Sequence, residues 1–490
     1  MRVRHGTGRR GPSGSGGRRV AFIGGAFAAS LCLSACVLDA DKPNIALDIP
    51  QSYKEKHGAA EAAVPPLDWW RGFRSAELTS FMEQAQTANL DIAVAIAQIM
   101  QADAQVRIAG APLLPTLSGN GSDTVTRTSA QVTSAGAGDY SRLYATSLSA
   151  SYIIDFWGKN RAALNAAEET AAASHYNREV VALTTLSTVA NTYFQILGAQ
   201  DRLRIARRNY NDASRILFLI NQQFNSGVAS DLNVAQQEAL VEMEQATIPP
   251  LEETLRQNIV ALAVLVGKVP ERFTARGGGM ATITIPKVTP GLPSELLDRR
   301  PDIRQAEEQL RSASYSVESA RAAFFPNIQL TGTLGVESSA LRSLFGPGAW
   351  FYTAAASLTQ PIFDGGLLLG QLQLQKGLQV QYLQAYRKSV LSAFQNVEQA
   401  LIAVEQTNAQ VEIQRKVVES SRRAFALSEQ QMNFGTVNMV TLLQVEETLF
   451  IAEDALAQDQ LSRLLAYVSL YQALGGGWPP KVGPSPLPPA

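Results

Sequence analysis

The 490-residue chain is 46% hydrophobic and nearly balanced in charge, with 42 Lys and Arg against 43 Asp and Glu and a formal net charge of −1. No basic block runs through it beyond the N-terminus, so nucleic-acid binding has no electrostatic footprint. Two cysteines and three histidines (His5, His57, His175) are too few and too scattered for a disulfide framework or a metal-ligand cluster.

The first 19 residues hold six arginines and no acid, Val20 to Leu33 is almost wholly apolar, and Leu33-Ser34-Ala35-Cys36 closes the run. A basic start, a short apolar core and small residues at its end predict a secretory signal, since the core is too short to span a bilayer comfortably. Residues 1–35 are expected to leave as a lipoprotein signal peptide, taking Cys32 and six positive charges and leaving 36 basic against 43 acidic residues, a net charge of −7. The alternative is a nonlipidated signal whose cleavage region contains Cys36. Residues 36–66, rich in Pro and Ala, read as an N-terminal tether.

Pattern begins at Leu67. Trp69-Trp70, Phe73, Leu78 and Phe81 precede a helical run to about Ile108, which Gly110 and Pro112 stop. Segments at about 113–125 and 142–156 read as strands joined by a Ser-, Gly- and Ala-rich loop. Thr116, Ser118, Asn120 and Ser122 alternate with Leu117 and small residues, while Tyr144, Thr146, Leu148, Ala150 and Tyr152 share one face. Polar residues on one face and apolar ones on the other suit a membrane strand, although the same alternation fits a soluble sheet. A Pro-free, Ala-rich stretch from Lys159 to Phe224 predicts a helix of roughly 100 Å. A turn at about 225–230 contains Gly227, and Ser230 or Asp231 can cap the next helix. Pro249-Pro250 predicts a break or offset there, with helix resuming from Leu251 to Leu265. Residues 268–298 form a Gly- and Pro-rich crossover.

The second half repeats the first. Phe224-Asn225-Ser226-Gly227-Val228 returns as Asn433-Phe434-Gly435-Thr436-Val437, Leu114-Pro115-Thr116-Leu117 as Phe325-Pro326-Asn327-Ile328, and Phe156-Trp157-Gly158 as Phe363-Asp364-Gly365. The simplest account is a duplication of strand pair plus helical hairpin, at 67–267 and 299–478. The second copy is expected to hold strands at about 326–336 and 351–362 and a hairpin with its tip at about 433–438. The Pro-rich residues 479–490 read as disordered.

Four strands cannot close a membrane barrel, because open edges in lipid leave backbone groups unpaired. Two, three or four chains sharing a barrel of about 8, 12 or 16 strands would satisfy them. Ala and Leu seams flanked by Gln, Asn, Arg and Glu suit long helices laid side by side with water on both sides. The competing reading is a structural or adaptor lipoprotein of the cell envelope without channel activity. No nucleophile elbow, phosphate-binding loop or dinucleotide fingerprint appears, so no enzyme is expected.

Taken in order, the motifs resemble lipoprotein outer-membrane efflux channels of the TolC/OprM superfamily, NodT-type branch. The resemblance rests on the lipobox-like Cys36, Trp69-Trp70 with Phe73 and Leu78, Ile248-Pro249-Pro250-Leu251-Glu252, Arg299-Arg300-Pro301-Asp302-Ile303 with Ala306-Glu307, Ala323-Phe324-Phe325-Pro326, and Tyr471-Gln472-Ala473-Leu474-Gly475-Gly476-Gly477-Trp478. It covers about 36–478. It implies a TolC-like, internally duplicated fold: an all-α long-helix periplasmic barrel with a small transmembrane β-barrel contribution, assembled as a homotrimer. It also implies a passive efflux duct in the outer membrane, without cofactor or metal. Its partners would be a periplasmic membrane-fusion protein and an inner-membrane resistance-nodulation-division transporter.

The resemblance also places sites. Cys36 would be acylated, and Val37 matches lipoproteins sent on to the outer membrane. Gly227, Val228, Gly435 and Val437 fall at the tips that engage the fusion protein. Thr441 and Gln444 fall where relatives constrict the periplasmic gate, frequently with an acidic ring. Neither is charged here; Glu446 and Glu447 are candidates to replace the charge, although their angular positions differ, and a solvated helix face explains both equally well. Tyr144, Tyr152, Phe156, Trp157, Trp350, Phe351, Tyr352 and Phe363 are candidate interfacial girdle residues.

Overall fold

The structure, a computed structural model, describes residues 44, 53–54, 66–129, 140–286, 288 and 293–476. Cys36 and the expected signal peptide and Pro-rich tail lie outside them. The chain divides into two compact units. Among the described residues, one holds 44, 106–129, 140–167 and 311–381, the other 53–54, 66–105, 168–286, 288, 293–310 and 382–476. Each sequence repeat contributes to both.

The first unit is built on four strands, β1 (Thr116–Arg127), β2 (Tyr140–Ile154), β3 (Asn327–Ser338) and β4 (Trp350–Thr359). They form one antiparallel sheet in the order β1-β2-β3-β4. Pro115 and Pro326 stand just before β1 and β3, where a missing N–H costs the ladder nothing. The register sorts the side chains into two classes. Pairing Leu117 with Ala150, Tyr152 with Leu330, and Leu330 with Ala356 puts Leu117, Leu148, Tyr152, Leu330, Leu334 and Tyr352 on one face. Thr116, Ser118, Asn120 and Ser149 stand on the other, where the Ser149 and Thr333 hydroxyls lie 3.3 Å apart and Gln329 Nε2 donates to Ser151 Oγ at 3.0 Å. Gly335 falls on this polar face by register, and only glycine fits there because a Cβ would lie 2.6 Å from the Thr146 carbonyl oxygen. Neither face covers a core: every residue of β1 is exposed, as is nearly all of β4.

Where strands give way to helices, Trp157 stacks on Phe325 at 4.6 Å and donates from Nε1 to the Pro326 carbonyl at 2.9 Å. These contacts tie the ends of β2 and β3. Phe351 departs from the girdle expectation, because the register puts it on the polar face, opposite Gly335. Trp350 and Tyr352, by contrast, stack at 6.1 Å on the apolar face.

Eight α-helices are described. Two short ones, α1 (Ala76–Ala88) and α2 (Leu90–Gly110), are followed by α3 (Lys159–Asn225) and α4 (Asp231–Leu265). Then come α5 (Pro293–Arg299), α6 (Pro301–Ala322), α7 (Leu367–Asn433) and α8 (Met439–Ala473). The single early run expected from sequence divides at Asn89. Its Oδ1 accepts from Asp91 N and Ile92 N, and its Nδ2 donates to the Leu265 carbonyl at 2.8 Å. Asp155 starts α3 in the same way, accepting from Asn160 N and Arg161 N at 2.9 and 2.8 Å, which suits the positive end of a helix. At 67 residues each, α3 and α7 are about 100 Å long.

Pro249-Pro250 does not end a helix: α4 runs through both. Two prolines forfeit two N–H donors. The carbonyls left over belong to Gln245 and Ala246, which are exposed, so water can replace the missing donors.

In the second unit the core is aromatic around Trp69, which stacks on Tyr471 at 5.0 Å, with Phe73 against Phe194 at 5.0 Å. Smaller apolar clusters follow, one of Ala213, Leu240, Leu449 and Phe450, and another of Ile216, Ile220, Met439 and Leu442. Each draws on α3 and on helices of both repeats.

Candidate functional site

The two helical turns are built alike. After α3, Gly227 N donates to the Phe224 carbonyl and Val228 N to the Gln223 carbonyl, both at 2.9 Å. After α7, Gly435 N donates to Met432 at 2.9 Å and Thr436 N to Gln431 at 3.0 Å. This is a Schellman closure, and it needs a left-handed residue; Gly227 has φ 77° and Gly435 φ 69°. Ser230 and Asn438 then cap α4 and α8 through side-chain oxygens.

Structural equivalence therefore aligns Gly227 with Gly435 and Val228 with Thr436. Val228 is 78% exposed, whereas Val437 is only half-buried. The large exposed apolar side chain of the second turn is Phe434, 74% exposed. Sequence reasoning missed it, although its place one residue before Gly435 was visible.

Thr441 and Gln444 are both exposed on the first turns of α8. Thr441 is also part of the cap: its N and Oγ1 each donate to Asn438 Oδ1 at 2.9 Å. Glu447 is exposed, but Glu446 is not on a solvated face. It is 0% exposed, and Gln237 Nε2 of α4 donates to its Oε2 at 3.4 Å. Burial pushes its carboxyl up to about 7, helped by Asp212 and Glu244 and opposed by the Gln237 hydrogen bond and Arg215. Composition alone could not place it, because a glutamate in a polar-flanked helix reads as solvated by default.

Further along α8, charge is compensated. Glu453, 7% exposed at its side chain, pairs with Arg208 of α3 and with Arg422 of α7, the latter at 2.5 Å. Asp454 receives a two-point contact from Arg202 at 2.7 and 3.0 Å, and Arg215 of α3 reaches Glu429 of α7 at 2.6 Å. These bonds fasten α3 to the helices of the second repeat. No group of three or more potential metal-ligating side chains occurs among the described residues.

In the first unit, a cavity of about 880 Å³ is lined by Ile153, Asp155, Trp157, Lys159, Phe325, Gln371 and neighbours. It combines strand ends with helix starts and holds no constellation of reactive groups. The charges of β1 and β2 lie on the apolar face near the end of that hairpin, where Arg142 pairs with Asp123 at 2.9 and 2.5 Å and Arg127 lies over the Tyr140 ring at 5.2 Å. The arrangement is a wall: a two-faced sheet with helices running from its strand ends.

Comparison with known proteins gives the same picture. A family model described as outer membrane efflux protein matches residues 81–268 and 292–476. The pyoverdine export outer membrane protein OpmQ of Pseudomonas putida is 37% identical over 461 residues, covering 92% of this chain and 96% of the relative. The probable efflux pump outer membrane protein TtgC of the same species is 31% identical over 428 residues, 87% of this chain and 88% of that protein. Among solved structures, the outer-membrane channel OprN superposes with a TM-score of 0.84 at 25% identity, covering 90% of this chain and 99% of that one.

Proposed function

The chain belongs to the outer membrane efflux protein family and is the outer-membrane channel of an efflux pump; from that premise we propose how it assembles and what it meets. Three copies each give their four strands to one barrel of about 12 strands, with the polar face turned to the water-filled interior and the apolar face to lipid. One observation carries this reading: a sheet with two unlike faces and two unpaired edges, β1 and β4, among the described residues. In a bilayer each open backbone group costs several kcal/mol, and cyclic repetition of β4 against the next copy's β1 removes every edge.

The long helices then surround the same axis on the periplasmic side. The duct is passive and does no chemistry of its own; its energy comes from an inner-membrane transporter of the resistance-nodulation-division class, reached through a membrane-fusion protein. That adaptor docks at the turns of Gly227 and Gly435, with Val228 and Phe434 as the exposed apolar contacts and Val437 as support. Thr441 and Gln444 contribute to a periplasmic constriction by size and hydrogen bonding. Acyl chains on Cys36 add an anchor, at roughly 0.8 kcal/mol per buried methylene. Cargo is a small molecule, and pyoverdine export, named for the 37% identical relative, is the first activity to assay.

Cysteine pairs test the assembly directly. Ser118→Cys on β1 is combined in turn with Ala355→Cys or Ser357→Cys on β4. Oxidation in membranes is expected to yield covalent trimers for one of the pairs. Cross-linked dimers as the end product, or no inter-chain product with either pair, would refute the shared barrel.

A further inference from the structure

Glu446 and Gln237 bring two buried polar side chains together, one from each repeat. Both are 0% exposed within a single chain, so they stay buried in any assembly. Gln237 Nε2 donates to the Ala213 carbonyl of α3 at 3.0 Å and to Glu446 Oε2 at 3.4 Å. The other oxygen of each, Gln237 Oε1 and Glu446 Oε1, is buried without a hydrogen-bond partner. Buried acceptors left unmatched are rare and destabilising. Two on one contacting pair call for a donor that neither side chain has in its ordinary form.

A proton supplies it. A neutral Glu446 carboxylic acid can donate its O–H to Gln237 Oε1 while Gln237 Nε2 donates back, which satisfies both acceptors at once. The ionised form lacks this solution, and among the described residues no cation is in ion-pair contact with it. Glu453, about two turns along the same helix, makes the contrast, since it is held by Arg208 and Arg422. The charged groups facing Glu446 are Asp212 and Arg215 from α3 and Glu244 from α4. Arg215, the one cation among them, is engaged by Glu429 of α7.

We propose that Glu446 is a proton-binding site whose neutral form fastens α8 of the second repeat to Gln237 of α4 and, through Gln237, to α3. The site lies just beyond Thr441 and Gln444 on α8, so its proton holds together the helix ends next to the turns. Deprotonation puts an unpaired charge into that junction and loosens it. The direction with pH follows from the raised carboxyl, 4.5 in its ordinary form and about 7 here. The stabilisation is complete below about pH 4.5, declines as pH rises towards 7, and is gone above it. The inference stands on one chain and does not depend on trimer formation.

The test uses the full chain in mild detergent. Hydrogen exchange of α4 and α8 amides around Gln237 and Glu446 is measured at about pH 5.5 and 8.5 and corrected for intrinsic rates. Local opening is expected to increase about thirtyfold at the higher pH. Glu446→Gln, whose amide reproduces both hydrogen bonds, is expected to show no such step. Should that variant not assemble, Glu446→Met takes its place. Infrared difference spectra near pH 6 are expected to show a protonated carboxyl band in the native chain that the variant lacks. An equal step in native and variant chains, or spectra without a band dependent on Glu446, would overturn the proposal. Native mass on the same samples reports the oligomer separately.

Discussion

Arg300 donates through Nη1 to the carbonyl of Ala473 at 3.1 Å, while its Nε and Nη2 hold the Asp302 carboxylate at 2.9 and 2.7 Å. The start of the second repeat thereby caps the last turn of its final helix, where carbonyls lack intrahelical partners. Gly475 completes the junction: its φ is 89°, and a Cβ would lie 2.4 Å from the Arg299 carbonyl oxygen. Two motifs far apart in sequence are therefore one structural joint. Arg300→Met is expected to lower stability by about 2 kcal/mol, because it orphans Asp302 and a helix-terminal carbonyl. Equilibrium denaturation checks it, and an unchanged midpoint would show that water replaces the guanidinium at no cost.

At the turns, backbone and side-chain roles can be separated. Gly227→Ala and Gly435→Ala each force a Cβ into the left-handed region and are expected to cost about 1 kcal/mol. Val228→Asp with Phe434→Asp leaves the turn backbone alone and is expected to abolish co-purification of the membrane-fusion protein while the oligomer persists. Undiminished co-purification would move the docking surface elsewhere.

The constriction is tested at Thr441 and Gln444. Aspartate at both suits the first turns of α8 electrostatically, so folding is expected to survive. In planar bilayers the double aspartate channel is expected to prefer cations more strongly than the parent. Alanine at both positions should raise the resting conductance. Unaltered selectivity and conductance in both pairs would remove these residues from the gate.

Anchoring is tested by mass. The intact chain is expected to begin at an acylated Cys36, and Cys36→Ala to lose the lipid while still inserting. A native chain without acyl groups on Cys36 would contradict the lipobox reading.

How far sequence led depended on what each residue answers to. Long helices and the two-faced strands are legible because periodicity and the Pro and Gly punctuation around Pro112, Gly227 and Pro326 act locally; the part of Asp155 in starting α3 appears only in the structure. The adaptor alternative gives way to the channel reading on family membership and the match to OprN. Of the break or offset expected at Pro249-Pro250, the break does not occur; the two lost N–H donors leave free the carbonyls of exposed residues, where water can replace them. Trp350, Phe351 and Tyr352 are consecutive in β4, so strand alternation sets Phe351 on the face opposite its two neighbours. For Glu446 the sequence leaves a gate charge and a solvated face both open, because its burial depends on Gln237, a partner 209 residues away. Long-range pairing of this kind leaves no periodic trace.

The shared barrel is the central claim, and native mass spectrometry in mild detergent, with conductance measured on the same preparation, tests it most directly. The account predicts a single species with the mass of three acylated chains, and that this species forms the conducting channel. A stable monomer that retains conductance would contradict it.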